Sequence, residues 1–340
     1  GQLARAATSL VDRVEPRAVR LSITDRCDLA CVYCRPSRSD GYLPASARLE
    51  VDDWRVIVRG LVDRGVRRVR ITGGEPLVHP DVVEIVAAVA AIPGVEDLAL
   101  TTNATQLRRL ARPLHDAGLR RVNVSIDSLD RETFSQLSRG GDLDEVIAGI
   151  DAAMDVGFDE LKTNTVVVAD AGPGSRGNAH ELAALAKWAF SRSIVPRFLE
   201  LMSVGEGAKV RDRVVPYAQM RAALVGLLGD DDPARQVDRG PARYVSAIEP
   251  HRGHRVGFIT GSSDTFCDGC DRLRVTSLGG LRPCLATSDE VSLRGALDVG
   301  DHGAVSDALD RAWAMKPDGR AWKGCTEASA ADVNMRATGG

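Results

Sequence analysis

Lysine is scarce in this chain. Of its 44 basic residues only Lys162, Lys187, Lys209, Lys316 and Lys323 are lysine, so a lysine at a strategic position stands out. Net charge of one strong sign is also missing: the balance of −3 gives no support to a general nucleic-acid surface, and any anion site must be a local cluster of arginines. No apolar run approaches the roughly 18–20 residues of a membrane span. The opening GQLARAATSLVDR, which starts on Gly1, has no long apolar core of the kind a secretion signal carries, so no signal peptide is expected. What remains is an ordinary globular composition, 44% hydrophobic and 27% charged, in 340 residues. That length suits one large barrel with a smaller appendage.

The seven cysteines are unevenly placed: Cys27, Cys31 and Cys34 form one set, Cys267, Cys270 and Cys284 another, and Cys325 stands alone. An odd count in two tight triplets within a large chain is a poor disulfide framework. Metal or cluster ligation in a reducing cytoplasm fits better, and a cytoplasmic location is expected.

Hydrophobic patterning gives a repeating unit. Strands are expected at Arg17–Ile23, Val66–Thr72, Asp97–Thr101, Arg121–Ile126, Leu161–Val168 and Pro196–Leu201. Helices are expected at Asp52–Arg64, Asp81–Ala91, Thr105–Ala117, Arg131–Ser138, Asp144–Val156 and His180–Arg192, with Pro113 kinking or shortening the third. Six strands alternating with helices build a parallel sheet with helices outside, open or curled. Polar and glycine-rich residues gather just after the strands, at Cys27–Cys34, Gly73–Glu75, Thr101–Asn103, Ser125 and Met202. In parallel α/β folds that end of the strands carries the site. Tyr217–Leu228 reads as a helix and Gly229–Asp238 as a linker. Shorter β-like pieces follow at Tyr244–Ile248 and Arg255–Thr260, then a closing helix at Ala304–Met315. The expected division is residues 14–228 and 229–340.

The first triplet, C-x3-C-x2-C, has no fourth Cys or His nearby and fits a structural zinc site poorly. Three thiolates on one loop can bind three irons of a cubane and leave the fourth open. Cys27, Cys31, Tyr33 and Cys34 match C-x3-C-x-aromatic-C, and here the chain resembles the radical S-adenosylmethionine (SAM) superfamily. The resemblance implies a partial (β/α)6 barrel, with SAM chelating the open iron and yielding a 5′-deoxyadenosyl radical on reduction. Gly73-Gly74-Glu75-Pro76 matches the superfamily's GGEP motif, which meets the methionine amino group of SAM.

The second triplet is C-x2-C-x13-C. By spacing alone a zinc knuckle completed by His251, His254 or Cys325 stays open. The local sequence FCDGCDRLRVTSLGGLRPCL resembles the GTP 3′,8-cyclases of molybdenum-cofactor biosynthesis, and the likeness runs from about Val19 to Gly340. It implies a second [4Fe–4S] cluster on Cys267, Cys270 and Cys284 that binds the purine of GTP. It also implies GTP contacts at Arg20, Arg70, Thr101, Lys162 and Arg272–Leu273–Arg274. SAM contacts are implied at Tyr33, Gly74, Glu75, Ser125 and Met202, with no catalytic residue beyond cluster-bound SAM. The tail Gly339-Gly340 is implied to reach into the barrel, whereas composition alone reads it as a frayed end.

Three positions depart from the family pattern: Asp271 where Asn is usual, no His soon after Lys316-Pro317, and Thr338 where an apolar residue is commoner. They leave open a two-cluster paralogue acting on another nucleotide, a peptide or a sugar; a zinc-stabilised nucleotide-binding protein is the non-enzyme alternative. The expected cofactors are two [4Fe–4S] clusters and SAM. The expected partners are GTP, an external one-electron reductant and a downstream enzyme that processes the cyclic product, with a homodimer left open and neither nucleic acid nor membrane.

Overall fold

The computed structural model describes residues 15–36, 41–172, 174–229, 240–263 and 266–317. The repeating unit appears as β1 (Ala18–Ser22), α1 (Val51–Asp63), β2 (Arg68–Thr72), α2 (Val82–Ala90), β3 (Asp97–Thr102), α3 (Leu107–Asp116) and β4 (Arg121–Ser125). It continues with α4 (Arg131–Ser138), α5 (Leu143–Val156), β5 (Glu160–Val167), α6 (Leu182–Phe190) and β6 (Val195–Glu200). Two short helices follow, α7 (Glu206–Lys209) and α8 (Tyr217–Ala223). The rest is β7 (Arg243–Ser246), β8 (Arg255–Ile259), β9 (Arg272–Val275), β10 (Gly280–Arg282), β11 (Val291–Ser292), α9 (Arg294–Leu297) and α10 (His302–Ala314).

Strands β1 to β6 pair in chain order and in parallel. The later strands extend both edges of the same sheet. β9 adds in parallel beside β1 and β8 in parallel beside β6, and β10, β11 and β7 complete an order of β11-β10-β9-β1-β2-β3-β4-β5-β6-β8-β7. Paired residues share a face and alternate along each strand. Val19, Leu21, Val69, Ile71, Leu98, Leu100, Leu273 and Val275 all turn toward the helices and are buried. Arg20, Arg70, Ala99, Asn123, Lys162 and Arg274 face the other way.

The sheet curls. Arg20 on β1 and Arg197 on β6 are five strands apart, about 24 Å along a flat sheet at ~4.8 Å per strand. Yet Arg197 is among the charges that lower the Arg20 pKa, so the inward faces of β1 and β6 approach each other.

Helix α1 buries Trp54, Ile57, Val58 and Leu61, the spacing seen in the sequence, and opens with reciprocal capping between Glu50 and Asp53. Asp130 caps α4 through the Thr133 N–H at 2.9 Å, and Gly157 ends α5 at φ 83°.

Pro113 lies inside α3, which runs on to Asp116 with Leu110, Ala111 and Leu114 buried on either side of it. One expectation needs correction. The helix expected through Leu228 stops at Ala223; Gly226 then adopts φ 84°, and Leu228 bridges to Ala247 while Leu224 and Leu227 enter a second core under α6 and α8.

Helix α10 closes the molecule against α1 at Gly60, where a Cβ would lie 2.4 Å from the His302 carbonyl oxygen and 2.6 Å from Val305 Cβ. Gly60→Val is expected to destabilise the apoprotein by about 1–3 kcal/mol through overpacking, read from the denaturant midpoint; an unchanged midpoint would show that this contact is loose.

Candidate active site

The two cysteine sets lie at opposite ends of the barrel. Cys27, Cys31 and Cys34 follow the C-terminal end of β1, whereas Cys270 precedes the N-terminal end of β9, which runs parallel to β1 with Arg272 beside Ala18. The four residue steps from Ala18 to Ser22 alone separate the ends by roughly 13 Å at ~3.3 Å per residue.

At the first end three loops interlock. The Gly74 N–H donates to Thr24 O and the Glu75 N–H to Arg26 O, both at 2.7 Å. A Cβ on Gly74 would sit 2.3 Å from Arg26 O, and one on Gly73 2.6 Å from Thr24 O, so the double glycine is a requirement of this close approach. The buried Glu75 carboxylate accepts from Leu77 N at 2.9 Å, Thr102 Oγ1 at 2.7 Å and Asn103 N at 2.6 Å. Burial pushes its pKa up to about 8 against the pull of those donors. Asp28, next to Cys27, accepts from Asn103 Nδ2 at 2.7 Å and Thr105 Oγ1 at 2.5 Å.

The cysteine loop is also tied to β4 and β5. Tyr33 donates its hydroxyl to Asp127 at 2.5 Å, and the other carboxylate oxygen of Asp127 accepts from Val166 N at 2.9 Å. Burial raises the Asp127 pKa to about 6. Tyr42 donates to Cys27 O at 2.8 Å and accepts from Arg35 at 2.6 Å. Ser125 ends β4 and Met202 follows β6, so Tyr33, Gly74, Glu75, Ser125 and Met202 all stand at the C-terminal strand ends. Gly261 accommodates Met202: a Cβ there would meet its Cγ at 2.7 Å.

The inner wall is cationic. Arg274, Arg20 and Arg70 stand abreast on β9, β1 and β2, with Arg272 one inward position below. Burial, then Arg274, Arg272, Arg70 and Arg197, lower the Arg20 pKa. Burial, then Arg197, bring Arg70 down to about 10, and burial, then Arg272, do the same for Arg274. Guanidinium groups so close, partly removed from water, create a strong positive potential that an anion would relieve. Lys162 on β5 bonds Glu160 at 3.0 Å and Tyr244 at 3.3 Å, and burial lowers its pKa. Thr101 lies on β3 opposite Asn123. Leu273 is the exception: its side chain is fully buried in the core, and only its neighbours Arg272 and Arg274 face inward.

Sequence reading missed Arg197 and Tyr244. Arg197 is buried, donates to Asn123 Oδ1, and keeps its Nε without a partner among the described residues; Asn164 Oδ1 beside it is also unpartnered. An arginine within the otherwise apolar run VPRFL was the available signal. Asp271 forms an ion pair with Arg68, which occupies the carboxylate that departs from the family pattern.

The thiols fit iron–sulfur clusters. None of the six described cysteines is in a disulfide. Cys31 feels Cys34 and Cys27, and Cys267 feels Cys270 and Cys284, so each set converges. Burial and Asp127 push the Cys31 thiol up, and burial pushes Cys267 up to about 11, so a positively charged partner is needed to hold them as thiolates. Burial acts against Cys270 too, but Arg272 and Lys316 outweigh it and bring that thiol to about 6. Among the described residues no three such ligands are placed to hold a single metal ion, while a cubane spreads its ligands over different irons. His251 and His254, candidates to complete a zinc knuckle, pack on Phe190 with ring centroids 5.4 and 4.8 Å away. Cys325, Thr338, Gly339 and Gly340 lie outside the described residues.

The fold and the first loop are those of the radical SAM superfamily, whose family model matches residues 21–179. Streptococcus suis SuiB bound to S-adenosylmethionine shares the fold at TM-score 0.57 and 18% identity, over 87% of this chain and 68% of that one. A second model, Molybdenum Cofactor Synthesis C, matches residues 194–322. The chain is 40% identical to the GTP 3′,8-cyclase of Erythrobacter litoralis, over 98% of this chain and all of that relative. It is also 40% identical to the enzyme of that name from Pelotomaculum thermopropionicum, over 88% and 91%. The chain therefore belongs to the GTP 3′,8-cyclase family, radical SAM lyases that use S-adenosylmethionine and [4Fe–4S] clusters. No helix among the described residues is long and apolar enough to cross a membrane.

Glu75→Gln would turn an amide NH2 toward one of three donors. It is expected to cost about 1–3 kcal/mol locally, seen as faster amide exchange at residues 74–77 and 102–104; unchanged exchange would remove Glu75 from its role as the loop anchor.

Proposed function

We propose that the chain converts GTP to (8S)-3′,8-cyclo-7,8-dihydroguanosine 5′-triphosphate, the first step of molybdenum-cofactor biosynthesis. The observation that carries this reading is the inward cluster of Arg20, Arg70, Arg197, Arg272 and Arg274 with Lys162, set between two convergent thiol triplets in a chain of net charge −3. A triphosphate needs several cations, and guanidinium forks suit its oxygens.

When bound, the first cluster and SAM would supply the radical chemistry that joins ribose C3′ to guanine C8, with one electron and one proton from an external donor completing the balance. Cys27, Cys31 and Cys34 would hold the first cluster, with Tyr33, Gly74, Glu75, Ser125 and Met202 around SAM. The Glu75 carboxylate, already accepting three donors, would serve by fixing the loop that carries Gly74. Cys267, Cys270 and Cys284 would hold the second cluster beside the purine, within the unit 229–340. Arg20, Arg70, Thr101, Lys162, Arg272, Arg274 and the backbone at Leu273 would fix the nucleotide, so that C3′ faces the first cluster. Positioning is the chain's main contribution. Gly339 and Gly340 are assigned to cyclisation. A cytoplasmic location, an external one-electron donor and a downstream enzyme for the cyclic product complete the reading.

Anaerobic enzyme with reductant, SAM and GTP is expected to form the cyclic product in preference to products from other nucleoside triphosphates; GTP consumption without it would refute the assignment. Replacing Cys267, Cys270 and Cys284 with Ala should spare SAM cleavage and abolish cyclisation. Arg197→Ala is expected to weaken GTP binding about 10–100-fold, the loss of a hydrogen bond to a charged group. Titration calorimetry on anaerobic protein checks this, and unchanged affinity would place Arg197 outside the phosphate site.

A further inference from the structure

The second triplet is carried on two separate arms of chain. Cys267 and Cys270 lie on the approach to β9, in a turn closed by the Cys270 N–H on Cys267 O at 3.1 Å. Cys284 lies beyond β10. The β9–β10 hairpin joins the arms at its far end, but a hairpin end can splay where its last pairs are few, and only Leu281 and Arg282 pair with β9 here.

One side chain crosses between the arms. Lys316, just past α10, donates from Nζ to Arg272 O at 2.7 Å and to Pro283 O at 2.8 Å. Arg272 is two residues after Cys270, and Pro283 immediately precedes Cys284. The ammonium also sits 4.9 Å from the centroid of the Trp313 ring. A lysine just after a helix ordinarily turns back to the last carbonyls of its own helix. This one reaches carbonyls 44 and 33 residues away instead.

Residue type sharpens the point. Arginine fills nearly every basic position in the chain, yet lysine stands here. Three tetrahedrally disposed N–H bonds on one atom can meet carbonyls on two different arms, whereas a guanidinium directs its donors in one plane. Both carbonyls belong to residues within two positions of a triplet cysteine, so the ammonium charge stands beside the thiol set.

We propose that Lys316 is a positioning residue for the second cluster: it clasps the Cys267–Cys270 arm to the Cys284 arm and holds a positive charge beside the cluster's ligands. This rests on the reading that the second triplet binds an iron–sulfur cluster. Removing the clasp lets the arms separate and the cluster escape, and removing the charge makes it harder to add an electron to the cluster.

The test uses the full chain in two backgrounds, one with Cys27, Cys31 and Cys34 replaced by Ala, so that only the second cluster forms, and one with Cys267, Cys270 and Cys284 replaced by Ala. In the first, Lys316→Met is expected to speed iron loss to a chelator about tenfold, in line with the 10–100-fold effect of residues that support metal ligands. It should also lower the cluster's reduction potential, while Lys316→Arg, which keeps the charge, holds the potential near that of the parent. In the second background Lys316→Met should change neither iron retention nor potential. Unchanged iron loss and potential in the first background would overturn the proposal, as would equal acceleration in both, which would mark a global loss of stability. Absence of iron from the first background with Lys316 intact would instead refute the cluster reading itself, and the role of Lys316 with it.

Discussion

The parallel pairing of Arg272–Val275 with Ala18–Leu21 is the constraint on which the rest of the molecule depends. It joins segments more than 250 positions apart in sequence and extends the sheet beyond the strand that begins it. Because β9 runs in the same direction as β1, the cysteines before β9 and those after β1 must emerge at opposite ends. The same register puts Arg274 beside Arg20, which pairs with Arg70, so Arg272 and Arg274 join the cationic wall only through it.

The two ends solve different physical problems. At the first, carboxylates are held by donors: buried Glu75 takes three, buried Asp127 takes Tyr33 and Val166, and half-buried Asp28 takes Asn103 and Thr105. Those bonds cross from one strand-end loop to another and fix the loops before any ligand arrives. On the inner wall the balance is reversed. Burial lowers the pKa values of Arg20, Arg70, Arg197 and Arg274, and neighbouring arginines lower each further, so the wall favours an anion. A rigid frame beside a charged, receptive wall suits an enzyme that must orient one ribose carbon against a radical.

Much of this was legible in the sequence because local rules carry it. The strand and helix spacing of residues 17–201, the first thiol loop and the glycines of Gly73-Gly74 are short-range patterns, and each was recovered within a few residues. Tyr217–Leu228 was misread because its apolar residues fit a helix, while Gly226 and the bridge from Leu228 to Ala247 impose a turn. Arg197, Tyr244 and Lys316 were not assigned site roles because their meaning lies in hydrogen-bond partners 33 to 82 residues away.

The sequence by itself determined the alternation of strands and helices, the two cysteine triplets and the arginines that flank them, since each depends on residue type at fixed short spacing. Tertiary structure decided which of those residues meet. Curling the sheet brought Arg197 toward Arg20, and the β1–β9 register set the triplets at opposite ends. Alternation sent Leu273 into the core between two inward arginines, and an ion pair with Arg68 took up the charge of Asp271. The physical reason is that charge and hydrogen bonding act over a few ångströms of space, and spacing along the chain does not reveal those distances once the sheet has curled.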